Sequence, residues 1–94
     1  MEIVKIKDAK LAIQINGRGE NIFLVSGLGG RASFWNNTKQ SLEKKFTVIT
    51  HDHRGCGKSS RSKIKYSIEQ MSHDVLAIMD HLSIKKTHFL GHST

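Results

Sequence analysis

Three short apolar runs, each opening into a loop of glycine or charged residues, constrain this chain more than any other feature. Ile22-Phe23-Leu24-Val25, Phe46-Thr47-Val48-Ile49-Thr50 and Thr87-His88-Phe89-Leu90 are near-continuous rather than alternating, as expected of strands covered on both faces in a parallel sheet. Helical patterns lie between them. One helix is expected from about Ser33 to Lys45, with Phe34, Trp35, Thr38 and Leu42 on its less polar face. The other begins at Ser67-Ile68-Glu69-Gln70, where capping-box spacing lets Gln70 reach back to the cap. Its apolar residues Ile68, Met71, Val75, Ile78, Met79 and Leu82 recur at threes and fours, so this stripe packs on a sheet and its methionines are core. Upstream, Ile3 to Lys7 and Leu11 to Ile15 alternate on either side of Asp8-Ala9-Lys10 and predict an opening hairpin, after which Asn16-Gly17-Arg18-Gly19 turns the chain. The expectation is an α/β fold: a hairpin, then a βαβαβ unit with a mostly parallel sheet.

In such a sheet the loops after the parallel strands share one edge, where ligands bind. The first loop is Gly27-Leu28-Gly29-Gly30 and the second runs from His51 to Ser59. The third is Gly91-His92-Ser93-Thr94, four residues of a G-x-S-x-G nucleophile elbow. An elbow lifts a serine hydroxyl clear of the sheet on a sharp strand-to-helix turn and leaves the following N–H facing a developing oxyanion.

Other motifs compete for these loops. Gly27-x-Gly29-x-x-Ala32 fits the G-x-G-x-x-A fingerprint of a dinucleotide-binding module, with Asp52 ending the next strand. A hairpin ahead of the glycine loop is unusual for that fold, and the module would leave the other two loops without a role. It stands as the alternative function. Gly57-Lys58-Ser59 looks like the end of a phosphate-binding loop, but the required first glycine would fall at Asp52. A metal site from His51, Asp52 and His53, with His73 or His92, is disfavoured because alternate strand residues point to opposite faces; no metal or cofactor is expected.

The chain has 94 residues and a formal net charge of +7, but its lysines and arginines are spread along it without interleaved aromatics, so a solvated basic face is expected rather than a nucleic-acid groove. Lys44-Lys45 would complement the dipole at the end of the first helix. No apolar run approaches the roughly 20 residues of a membrane span, and Met1-Glu2-Ile3-Val4-Lys5 lacks a signal-like apolar stretch. With one cysteine, Cys56, expected to be an inert thiol, a cytoplasmic location is expected.

Together the three loops resemble those of the α/β-hydrolase family. Ser26-Gly27-Leu28-Gly29-Gly30 stands where that family carries its oxyanion loop, Asp52-His53-Arg54-Gly55-Cys56-Gly57-Lys58-Ser59 is similar to its D-x-R-G-x-G-x-S loop, and Gly91-His92-Ser93-Thr94 to its elbow. The first loop and Tyr66-Ser67-Ile68-Glu69-Gln70-Met71 most resemble aminoacrylate hydrolases of pyrimidine degradation and 3-oxoadipate enol-lactonases. The resemblance implies that Ser93 attacks the acyl carbon of a small ester, lactone, thioester or activated amide, with the N–H groups of Leu28 and Thr94 holding the oxyanion. It implies support from Gly27, Gly29, Gly55, Gly57 and Gly91, with Asp52 and Arg54 locking the loop that contains them.

Two departures qualify the match. Ser26 replaces the histidine usual in the oxyanion loop, and the family's acid and histidine, which follow the elbow in chain order, are missing from these 94 residues. None of the six histidines substitutes for the missing base; His92, inside the elbow, should point away. Residues 1–94 are therefore expected to be the N-terminal portion of a single larger hydrolase domain, truncated at the elbow and inert in isolation. The strand leading to Ser93 should then be an unprotected edge that makes the isolated chain unstable or prone to aggregate.

Overall fold

The computed structural model describes residues 2–6, 9–27, 31–53, 59 and 68–92. Among the described residues five strands form one sheet in the order β1-β2-β4-β3-β5, with β1 Glu2–Ile6, β2 Ala9–Gly17, β3 Glu20–Val25, β4 Phe46–His51 and β5 His88–Gly91. β1 and β2 form the antiparallel hairpin and β2 also pairs antiparallel with β4, whereas β3 runs parallel to both β4 and β5. Ala9 and Lys10, expected between the two strands, belong to β2 and pair with Ile6 and Lys5.

Alternation along the strands sorts their side chains into two cores. Val4, Leu11, Ile13, Phe23 and Ile49 meet Val75, Ile78 and Met79 of α2, Ile68–His81, whose described stripe residues pack on the sheet as its period requires. The side chain of Ile68 and all of Ser67 lie outside the described residues; Gln70 donates to Asp74 Oδ1 at 3.0 Å, one turn further on. Past the end of α2, Ser83 adopts φ 58°, and the Ile84 N–H reaches back to the Met79 carbonyl at 2.9 Å, folding Ile84 onto the core.

The opposite face buries Leu24, Val48 and Trp35, backed by Ile22, Leu42 and Phe46. Here the first helix differs from expectation. It starts as a 3₁₀ turn, Ala32–Trp35, and continues as α1, Asn36–Leu42, ending before Lys44 and Lys45. The N-cap residue of α1, Trp35, makes no side-chain capping bond, and Asn36-Asn37 is a poor helix opening, so the segment is held by the packing of Trp35 rather than by its own propensity. Phe34 points outward at 55% exposure. Lys44 and Lys45 occupy the turn into β4, and Lys39 is the basic residue in the last turn of α1.

β5 is parallel, as expected, but exposed along its whole length: Phe89 is 56% and Leu90 41% accessible. Only β3 pairs with it among the described residues. An apolar run is buried only if a further element covers it, and here an apolar hollow of about 370 Å³ opens between β5 and α2, lined by Val25, Met71, Val75, Leu76 and Phe89.

Gly17 closes β2 at φ 86°, with the carbonyls of Glu43 and Phe46 where a Cβ would stand. A left-handed conformation alone costs an L-residue roughly 1–2 kcal/mol, and the backbone contacts add to it. Gly17→Ala is therefore expected to destabilise the protein by about 2 kcal/mol or more in chemical denaturation; an unchanged midpoint would contradict this packing.

Candidate functional site

Because β3, β4 and β5 are parallel, their C-terminal ends bring Ser26-Gly27, Asp52-His53 and His92 to the same edge of the sheet. Asp52, only 3% exposed, accepts a hydrogen bond on Oδ1 from the Ala32 N–H at 2.7 Å. That bond ties the end of β4 to the first residue of the 3₁₀ turn, on the far side of the glycine loop. His53, 2% exposed, meets the near side: its Nε2 lies 2.8 Å from the Ser26 carbonyl, and since a carbonyl only accepts, His53 is the donor and carries its proton on Nε2. The third strand end is stitched to the first by the His92 N–H, which donates to the Val25 carbonyl at 3.1 Å.

Ser59 holds the second loop. Its hydroxyl donates to the Asp52 carbonyl at 2.6 Å and accepts from the Ala12 N–H at 2.8 Å, while the Asp52 N–H donates to the Ala12 carbonyl at 2.9 Å. Ala12 thereby extends the pairing of β2 with β4 beyond His51, and the loop closes on its own start. The Asp52 side chain thus joins the loop after β4 to the segment after β3, while its expected partner in locking the loop, Arg54, lies outside the described residues. The closing residue is Ser59, present in the motif but not singled out as a site residue.

The ring of His92 turns away from the sheet edge onto aromatic neighbours, with its centroid 4.8 Å from that of Phe34 and 6.5 Å from that of Trp35. Phe34, outward-facing and outside the core, is thus a contact of the elbow. Gly91 is the last residue of β5, and Gly27 follows the end of β3 by two residues. Leu28, Gly29, Arg54, Gly55, Cys56, Gly57, Ser93 and Thr94 lie outside the described residues.

His51 and His53 stack edge-on with centroids 4.6 Å apart, and His51 also meets the Phe23 ring edge-on at 5.4 Å. Neither His51 nitrogen has a hydrogen-bond partner among the described residues. Burial, reinforced by the neighbouring His53, pushes His51 from 6.5 down to about 3. Among the described residues no three His, Cys, Asp or Glu side chains converge as a metal ion would need. No helix among them is long and apolar enough to cross a membrane.

The family model described as alpha/beta hydrolase fold matches residues 20–94, from the start of β3 through the elbow. This chain belongs to the α/β-hydrolase family. The alternative of a dinucleotide module has no support here, because Asp52, the acid it would need for a ribose hydroxyl, is buried against the Ala32 amide. Among relatives of this α/β-hydrolase, RutD of Caulobacter segnis, which carries the provisional name carbamate hydrolase, is 41% identical over 76 residues, covering 79% of this chain and 28% of RutD. The RutD of Azorhizobium caulinodans is 36% identical over 86 residues, covering 92% and 32%. Among solved structures, the enol-lactonase of Burkholderia xenovorans LB400 superposes with a TM-score of 0.89 at 34% identity, over 96% of this chain and 36% of that one. The chain spans roughly a third of the length of these relatives.

His51 also makes the fold sensitive to acid. With the folded value near 3 and the unfolded value at 6.5, the unfolded chain binds the extra proton between them, so stability is full above pH 6.5 and falls as pH drops toward 3. The slope from this one group is about 1.4 kcal/mol per pH unit. His51→Phe should flatten that part of the curve in denaturant titrations; an equal slope in both proteins would contradict the buried neutral imidazole.

Proposed function

We propose that this chain is the N-terminal part of a serine hydrolase that cleaves a small acyl substrate through an acyl-enzyme. The observation that carries this reading is the convergence of three strand ends on one edge, tied by the Asp52–Ala32, His53–Ser26 and His92–Val25 hydrogen bonds. Ser93 follows directly on the end so fixed. In this reading its Oγ attacks the acyl carbon, and the N–H groups of Leu28 and Thr94 hold the oxyanion of the tetrahedral intermediate. The carbonyl re-forms as the leaving group departs, and water then releases the acyl group from Ser93.

Relatives named for a carbamate and an enol-lactone support a substrate whose carbonyl carbon bears an oxygen or nitrogen leaving group, within the class of small esters, lactones, thioesters and activated amides. A serine hydroxyl near neutral pH needs a base. The base and its supporting acid would come from the longer protein, after the elbow in chain order, so residues 1–94 alone are expected to be inert and prone to self-associate through β5. No cofactor enters the reaction, and the reading includes a cytoplasmic location.

The test is labelling of the full-length protein with a fluorophosphonate, which phosphonylates activated serines. Wild type is expected to label, whereas Ser93→Ala and the isolated 94-residue chain are not. Failure of wild type to label, or labelling that persists in Ser93→Ala, would overturn the assignment.

A further inference from the structure

We infer that His53 is a positioning residue for the oxyanion loop, holding the entry to that loop from the loop after β4. The inference rests on the acyl-transfer reading above. The chain passes from β3 into the glycine loop at Ser26 and leaves it at Ala32. Both points are held by consecutive residues of one strand end: His53 Nε2 donates to the Ser26 carbonyl at 2.8 Å, and Asp52 Oδ1 accepts from the Ala32 N–H at 2.7 Å. Successive residues of an extended chain point in opposite directions, so Asp52 and His53 reach the two ends separately.

The Ser26 hydroxyl does not perform this task. Its Oγ is buried and without a hydrogen-bond partner among the described residues, as is Nδ1 of His53. Among the described residues, the side-chain hold on the loop entry is therefore the bond from His53 Nε2. It fixes the Ser26–Gly27 peptide plane, one residue before the proposed donor N–H of Leu28. Preorganised backbone donors act through their aim, and a misplacement of about 1 Å can cost about a hundredfold in rate. His53 acts through the backbone it holds.

Two polar substitutions separate positioning from mere stability. The amide nitrogen of His53→Gln stands near the place of Nε2 and keeps the donor, whereas that of His53→Asn stands near Nδ1 and stops short of the Ser26 carbonyl. The full-length protein and both variants are inactivated with a fluorophosphonate, resolving the maximal rate from the half-saturating concentration, alongside thermal melts. His53→Asn is expected to lower the maximal rate about tenfold or more with the half-saturating concentration unchanged, and His53→Gln to restore most of it. Equal rates in Asn and Gln variants, or a loss confined to the half-saturating concentration or the melting temperature, would overturn the positioning role while leaving Ser93 as nucleophile. Absence of labelling in wild type would remove the acyl-transfer reading and this inference with it.

Discussion

The hydrogen bond from the Ala32 amide to the buried carboxylate of Asp52 is the constraint on which the rest of the site depends. A carboxylate at 3% exposure is tolerated only where donors satisfy it, and here a backbone donor comes from the segment that the adjacent parallel strand delivers. The bond does for the loops what the β3–β4 ladder does for the strands. It fixes where the chain must be when it re-enters regular structure as the 3₁₀ turn, and so where Trp35 is placed to fill the core over Leu24 and Val48. Packing on one face and geometry at the edge are therefore one problem with one solution.

Much of this was legible in the sequence. Apolar runs at Ile22–Val25 and Phe46–Thr50 read correctly because interior strands are covered on both faces, so continuity is their signature. The α2 stripe read correctly because one helix face meets the sheet. Asp74 is not legible as buried, since the charge of an acid favours the surface, yet it is 2% exposed on α2 and Gln70 is one of its partners. β5 was legible as a strand but not as an exposed one, since burial depends on what lies beside it. The start of α1 misled for a local reason: Phe34 and Trp35 are adjacent and cannot share a helix face, and Trp35 took the core.

The edge contacts were the least legible. Ser59 meets Ala12 across 47 residues of sequence and His53 meets Ser26 across 27, and neither spacing carries a periodic signal. Motif resemblance located the loops without saying which side chain reaches which backbone group. The motif names Asp52 as a support of its own loop, but nothing in it tells that the buried carboxylate also bridges to the segment after β3.

Amide hydrogen exchange in the full-length protein tests this bridge most directly, because the Ala32 N–H belongs to no ladder and has the Asp52 carboxylate as its partner. The account predicts that Ala32 exchanges as slowly as the amides of the β3–β4 pairing in wild type and loses that protection in Asp52→Ala. Exchange at loop rates in wild type, or protection that survives removal of the carboxylate, would contradict it.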